Sequence, residues 1–356
     1  MTERLIEGKI PAITGIGKAV GRYIVTNELI DDKLGRMKGL TNRAMRRNGI
    51  GIEQRFWVPM ENHESKQTTS DLAVESLIEA IKMSDIEKKD LKKIVVATSS
   101  PDYLGVSTAA MVQHRLGLQT NIQAYDLTAG CTGWLQALND AYANLLSPIG
   151  RGGPQAIIGA EVISPVLSKK KLNTYILFGD AAGAAIVDLV EPDEGVPTNM
   201  AFVAGADGSL ADKLYVPAGG SKYPASQYTV ENDMHSMDME GDIIKDNAIK
   251  RMTEVTKTAL KESGVPMEDV ALFIPHQANL SIIESIADNL NFPMERVMVT
   301  VDKYGNTSAA SIPTALREAW DAKRIKRNDI LVMATFGAGL EYIAAVFPMV
   351  GLPKKK

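Results

Sequence analysis

At 356 residues, 45% of them hydrophobic and 23% charged, the chain has the composition of a soluble globular protein, long enough for two fused domains or one large α/β unit. Its 39 basic and 43 acidic side chains leave a net charge of −4, which gives no reason to expect nucleic acid, and no apolar run reaches the ~18–20 residues that a membrane span needs. A single cysteine excludes an intramolecular disulfide and suits a reducing cytoplasm, and with only four scattered histidines no metal-ligand cluster is visible.

The opening MTERLIEGKIPAITGIG lacks the apolar stretch of a signal peptide. KKIVVATSS (92–100) reads as a buried strand and STAAMVQHRLGL (107–118) as a helix. IQAYDLTA is the next strand, and a helix follows Cys131 with Trp134, Leu135, Leu138, Ala141 and Leu145 on its apolar positions. QAIIGAEV and AGAAIVDLV complete the strands of the first half. VPAGGSKYPASQYTVENDMHSMDME (216–240) is polar and without period, a long loop that either covers a binding site or is a surface excursion. The second half repeats the rhythm: a long amphipathic helix (241–264), strand VALFIP, helix LSIIESIADNL, strand RVMVTV, helix SAASIPTALREAWDAKR, then strands DILVMATF and EYIAAVF. The closing PKKK reads as a solvated tail. Near-continuous apolar strands covered by helices predict sheets buried on both faces, arranged as a duplicated α/β unit: an N-terminal half over 1–195 and a C-terminal half over 196–356.

Three residues each close a strand and open a helix. Cys131 sits where unpaired N–H groups and the helix dipole favour thiolate, so its pKa is expected below the free value of ~8.5. His276 ends LFIPHQAN, and Asn306 follows Gly305 in a turn. A lone buried Cys, a core His and a turn Asn are each ordinary. Together, at the carboxyl ends of a common sheet system, they offer a nucleophile and two hydrogen-bond donors.

The stretches AYDLTAGCTGW, FGDAAGAAIV, PHQANLSII, YGNTSAASIP and FGAGL, in this order and spacing, resemble the β-ketoacyl-acyl carrier protein synthase III family of the thiolase superfamily. The resemblance runs from about residue 10 to the C-terminus. It implies an αβαβα five-layered thiolase fold, a homodimer, and a Cys-His-Asn triad on Cys131, His276 and Asn306. It also implies two half-reactions. Cys131 takes the acyl group of an acyl thioester such as an acyl-CoA, with the N–H groups of Cys131 and Ala338 as oxyanion hole. A malonyl thioester, of an acyl carrier protein or of coenzyme A, then loses CO2, and its enolate-like carbanion, held by His276 and Asn306, attacks the acyl-Cys carbonyl. No metal or other cofactor is implied. The setting is either fatty-acid initiation or a specialised-metabolite pathway such as polyketide synthesis.

Departures from the family pattern mark where substrates are expected to differ. Ser281, Asp288, Asn289 and Asp246 stand where the family commonly carries bases that dock the acidic carrier, although Lys250, Arg251 or Lys257 could serve instead. AMRRNGIGIEQR lacks the Trp, and Lys245 replaces the Phe, that sandwich adenine; Leu172, beside Lys169, Lys170 and Lys171, replaces a phosphate-binding Arg. Gly105 falls where short-primer enzymes carry a Phe that reaches across the dimer, which implies room for a longer or bulkier acyl group. Gly105, Asn279 and Lys245 are thus the candidate substrate-binding residues. Two other readings share the triad or fold: an acyltransferase that passes the acyl group to an alcohol or amine, and a non-decarboxylative condensing enzyme, which would need a glutamate where Ser99 stands. A scaffold subunit would be expected to lose the nucleophile. Glu341 is either a second acid/base or an ion-paired structural carboxylate.

Overall fold

The computed structural model describes residues 8–147, 149 and 152–353; the last three lysines of the PKKK tail and residues 1–7 lie outside them. In chain order the first half supplies β1 (Ile10–Val20), α1 (Thr69–Met83), β2 (Lys93–Ala97), α2 (Thr108–Arg115), β3 (Gln123–Leu127), α3 (Gly133–Leu146), β4 (Gln155–Glu161) and β5 (Ala181–Val190). The second supplies β6 (Ala201–Ala206), α4 (Gly241–Ser263), β7 (Val270–Pro275), α5 (Leu280–Leu290), α6 (Ser311–Asp321), β8 (Ile330–Gly337) and β9 (Glu341–Pro348).

These strands form the two large sheets, ordered β1-β5-β4-β2-β3 and β6-β9-β8-β7. In each, a parallel core is flanked by an antiparallel hairpin-like edge: β2 runs parallel to β3 and β4, and β7 parallel to β8, while β5 and β9 run against their neighbours. Between the sheets lie α3 and α6. Trp134, Leu138, Ile312 and Leu316 of these helices pack with Ile13 and Ile157 of the first sheet and Met333 and Phe347 of the second. Outside the first sheet sit α1 and α2, through Leu72, Leu77 and Val112; outside the second sit α4 and α5, through Met252, Val255, Ile283 and Ile286. The result is helix, sheet, helix, sheet, helix, the five-layered thiolase fold. Every residue of β2, β4 and β8 is buried, which is why these strands read as unbroken apolar runs.

One expected strand is missing. RVMVTV places only Val297 in a lone parallel bridge to Phe273, and a single rung, Met298 N to Phe273 O at 2.8 Å, joins the segment to β7. The buried amide of Gln277 takes over the rest. Its Nε2 donates to Pro275 O and Met298 O, and its Oε1 accepts from the N–H groups of Thr300 and Val301. A side chain satisfies the backbone that a neighbouring strand would otherwise pair.

The middle helix layer approaches the first sheet closely at one point. A Cβ on Gly159 would stand 2.3 Å from the carbonyl oxygen of Ala309, so only glycine lets the turn before α6 lie flat on β4. That contact sets Ser308 beside Glu161, two residues along the strand.

Candidate active site

Cys131 lies in a one-turn 3-10 helix, Gly130–Thr132, between β3 and α3. Its carbonyl accepts from Thr335 Oγ1 at 3.0 Å, tying the turn to β8. The end of β8 is pressed against it: a Cβ on Gly337 would fall 2.6 Å from Cys131 N, and one on Gly130 would fall 3.0 Å from Ala338 N. The two backbone segments expected to carry the oxyanion donors are therefore in contact.

His276 follows β7, and its N–H donates to Ala334 O at 2.8 Å, extending the ladder to β8. Its Nδ1 stands 2.8 Å from Ser311 Oγ, which also accepts the Gln277 N–H at 2.8 Å. Ser311 is buried, so its hydroxyl hydrogen needs an acceptor, and Nδ1 is the one within reach. The imidazole proton is then on Nε2. Burial pushes the His276 pKa down to about 4, so the ring is neutral at physiological pH.

Asn306 is clamped on both sides of the backbone, its N–H donating to Leu177 O and its carbonyl accepting from Gly179 N–H, each at 2.9 Å. Its Oδ1 accepts the Ser308 N–H at 2.9 Å, which leaves the amide NH2 to donate. The FGD motif next door is structural: buried Asp180 accepts from the N–H groups of Val58, Ile163 and Ser164 and from Ser164 Oγ.

Cys131, His276 and Asn306 line one cavity of about 550 Å³. All three are buried, whereas Arg47, Asn48 and Asp242, on the same lining, are more open to solvent. The cavity is thus a passage from solvent to the three residues. Lys245 and Asn279 line it too; Asn279 also caps α5, with Oδ1 accepting from Ile282 N at 2.9 Å. The long loop touches this passage at its feet, where Leu214–Tyr215 pairs with Asp238–Met239 and Leu214 and Met239 form part of the wall. Gly105 is not on this lining. It lies at φ +81 in an exposed loop, where a Cβ would meet nothing within 4 Å and the neighbouring Leu104 is 82% accessible.

Two expectations change. Burial pushes the Cys131 thiol up to about 12, and the nearby Glu161 charge adds to the rise. Desolvation outweighs the helix end, and the resting residue is a thiol, not a thiolate. Glu341 has no ion pair among the described residues; its Oε2 accepts from Thr132 Oγ1 at 3.1 Å. Of the lysine run, Lys171 is engaged with Ser236 O and Asp238. Glu161 was not singled out by the sequence, although a charged residue at the end of the apolar run QAIIGAEV signals a buried carboxylate. It is fully buried and its pKa is pushed up to about 7 by burial, against hydrogen bonds from Ser100, Ser308 and backbone N–H groups.

These features define a thiolase-fold enzyme with a cysteine at the buried end of a substrate passage. Residues 125–208 match the family model for 3-oxoacyl-[acyl-carrier-protein] synthase III, and residues 260–349 match the model for its C-terminal part. The chain is 41% identical over 283 residues to the β-ketoacyl-[acyl-carrier-protein] synthase III of Caldanaerobacter subterraneus subsp. tengcongensis, covering 80% of this chain and 84% of that one. It is 39% identical to the enzyme of the same name from Syntrophomonas wolfei, over 93% of this chain and 95% of that one. The crystal structure of β-ketoacyl-[acyl carrier protein] synthase III from Thermus thermophilus superposes with a TM-score of 0.80 at 36% identity, covering 94% of this chain and 98% of that one. The chain belongs to the β-ketoacyl-acyl carrier protein synthase III family, and is a condensing enzyme of the acyltransferase class.

Proposed function

We propose that Cys131 carries the acyl group and that His276 and Asn306 stabilise the carbanion of a decarboxylating malonyl thioester. The convergence of these three side chains on one solvent-connected cavity carries the reading. In the first half-reaction the Cys131 sulfur attacks an acyl thioester, and the N–H groups of Cys131 and Ala338 receive the developing oxyanion; one such donor is worth about 3 kcal/mol of barrier. In the second, Nε2–H of a neutral His276 and the Asn306 NH2 donate to the thioester oxygen as CO2 leaves. A neutral ring suits this step, because an imidazolium would protonate the carbanion it is meant to preserve. With both donors present, transfer to an alcohol or amine without decarboxylation is not favoured.

Arg47 and Lys245, on separate segments of the passage wall, suit the phosphates of coenzyme A or of a carrier's phosphopantetheine, in place of an aromatic sandwich. The carrier-docking face is altered in charge: Asp246, Asp288 and Asn289 are exposed, and Arg251 is occupied by Asp207 and Glu254. Exposed Lys250 and Lys257, with Arg43, Arg46 and Arg47 on the helix Leu40–Arg47, are the bases left to meet an acidic carrier. We further propose a homodimer through the open edge of β3, which among the described residues pairs only with β2 and lies in the half that carries exposed Tyr103, Leu104 and Val106. Gly105 would then lie near the partner's acyl cavity and leave it open to medium or long chains. We treat residues 1–195 and 196–356 as the two halves of one cytoplasmic enzyme that needs no metal or cofactor.

Intact-mass measurement after exposure to acyl-CoAs of about two to twelve carbons tests this. A stable adduct on Cys131 identifies the donor, and CO2 release on adding malonyl-CoA or malonyl carrier protein identifies condensation. A protein that is acylated but never releases CO2 would be a simple acyltransferase.

A further inference from the structure

Arg55 is fully buried in the short strand Gln54–Trp57, which pairs with Tyr23–Thr26. Its partners are neutral oxygens: Nη1 donates to Val25 O at 3.1 Å and to Asn27 Oδ1 at 2.8 Å, and Nη2 donates to Ile176 O at 2.6 Å. Among the described residues no carboxylate pairs with the guanidinium, and its buried Nε has no partner. Burial lowers its pKa to about 10, so the group is charged at neutral pH. A buried cation without an anion is costly. What the guanidinium supplies in return is a rigid fork that reaches separate chain segments at once. One of those segments is the wall of the passage. Ile176, Leu177 and Phe178 line it, and their carbonyls are shared out in order. Ile176 O accepts from Arg55, Leu177 O accepts the Asn306 N–H at 2.9 Å, and Phe178 O accepts from Trp57 Nε1 at 2.9 Å. Gly179 N–H then donates to Asn306 O at 2.9 Å.

We propose that Arg55 and Trp57 are positioning residues that hold the Asn306 amide in place through the wall segment 176–179. The proposal rests on the reading that Asn306 is a donor to the carbanion. The two side chains leave the same strand and grip the wall on either side of the Leu177 carbonyl that holds Asn306. The stem of Arg55 also backs the turn directly: a Cβ on Gly305 or on Gly179 would stand 3.2 Å from Arg55 Cβ. Ile176 and Phe178 are buried, so without these donors their carbonyls would be left unpaired, and the wall would shift toward the water of the passage to satisfy them. Asn306, clamped to that wall through both its N–H and its carbonyl, would move with it. The Cys131 turn and His276 are tied to β8 instead, through Thr335 and Ala334, and would stay where they are.

Arg55→Lys keeps the charge but puts one ammonium where two nitrogens stood, and Trp57→Phe keeps an aromatic ring but deletes the N–H. Each should slow single-turnover CO2 release from malonyl-CoA by about 10–100-fold, as a misplaced donor does, with the half-saturating malonyl-CoA concentration unchanged. Acylation of Cys131 should stay within a few-fold of wild type. Combined with Asn306→Ala, either substitution should cost no more than about twofold beyond Asn306→Ala alone, because the group it positions is gone. Losses that multiply, or an equal loss of acylation, would mean that the two residues support the fold at large and would overturn the proposal. Hydrogen–deuterium exchange supplies an arm that needs no substrate. Peptides covering 176–180 and 304–308 should exchange about tenfold faster in both variants while the peptide of β8 is unchanged; exchange like that of wild type would also overturn the proposal. If Arg55→Lys fails to fold, Trp57→Phe decides by itself, since a normal rate of CO2 release there removes the wall as a positioning element. Faster exchange at 304–308, together with an Asn306→Ala protein that releases CO2 at the wild-type rate, would leave the clamp standing and remove the role of Asn306 in the reaction.

Discussion

The hydroxyl of Ser311 stands 2.8 Å from Nδ1 of His276 and is itself fixed by the Gln277 N–H. One buried serine thereby sets the tautomer of the ring and presents Nε2–H to the cavity. Ser311→Ala frees the ring to carry its proton on Nδ1, which turns a donor into an acceptor at the place where negative charge develops. Malonyl decarboxylation should fall by about 10–100-fold, less than the roughly 10²–10³-fold expected for His276→Ala or Asn306→Ala, each of which deletes a donor outright. Acylation of Cys131 should stay within a few-fold of wild type in all three. Single-turnover acylation and CO2 release, measured separately, check this; an equal loss in both half-reactions would show that Ser311 acts on the fold and not on the ring.

Gly337 tests the contact between the two segments of the oxyanion hole. A methyl group there meets Cys131 N at 2.6 Å, Cys131 Cβ at 3.2 Å and Thr132 N at 3.2 Å, so the nucleophile's turn must retreat. Gly337→Ala should cost about 1–3 kcal/mol of stability and reduce acylation by at least tenfold at a temperature where the variant is still folded. Denaturant midpoints and acyl-adduct rates measured together check the pairing; a destabilised variant with normal acylation would remove the Gly337–Ala338 segment from the hole.

Most of the layer order was legible because buried parallel strands and amphipathic helices leave strong periodicities: KKIVVA, QAIIGAE and ILVMATF each became strands. RVMVTV failed for a reason that periodicity cannot carry, since its partner is the side chain of Gln277 and not a strand. The cavity-lining residues Cys131, His276, Asn306, Asn279 and Lys245 were legible through motifs. The ionisation state of Cys131 was not. A helix start is visible in sequence, but desolvation depends on the second sheet closing over the turn through Thr335 and Gly337, far along the chain. Ser308 and Ser311 were hidden for the same reason: their chemistry lies in what faces them, Glu161 and His276, across the layers.

Glu161 and His276 should tilt stability with pH in opposite directions. Burial raises Glu161 from 4.5 to about 7, so the folded protein holds a proton that the unfolded chain releases; this contribution is full below pH 4.5 and lost as pH rises through 7. Burial lowers His276 from 6.5 to about 4, so its contribution is present above pH 6.5 and lost as pH falls toward 4. Glu161→Gln removes only the first. Relative to wild type, the variant should therefore gain stability between about pH 5 and pH 8, by on the order of 3 kcal/mol. Melting temperatures of both proteins across that range check the sign; a constant offset would show that the carboxylate does not titrate there.

Far from the cavity, Glu318 of α6 binds Lys18 of β1 and the hydroxyl of Tyr304 at 2.7 Å, with Lys303 at 3.2 Å. The cluster fastens the middle helix layer to the edge of the first sheet. Burial opposes ionisation of Glu318, but the hydrogen bonds from Lys18 and Tyr304 outweigh it and hold its pKa down at about 2. The side chain is only 14% exposed, so screening by solvent is modest. Glu318→Gln keeps the shape, weakens the charge-assisted bonds and leaves Lys18 without its closest anion; about 1–3 kcal/mol should be lost at pH 7. Because the folded-state pKa is depressed, the wild-type advantage is complete above pH 4.5 and disappears as pH falls toward 2. Urea midpoints at about pH 7, 4 and 3 should converge for wild type and variant. An undiminished gap at pH 3 would mean that the glutamate acts through packing against Tyr304 and not through its charge. Acylation of Cys131, which this cluster does not touch, should be unchanged at pH 7 in either case.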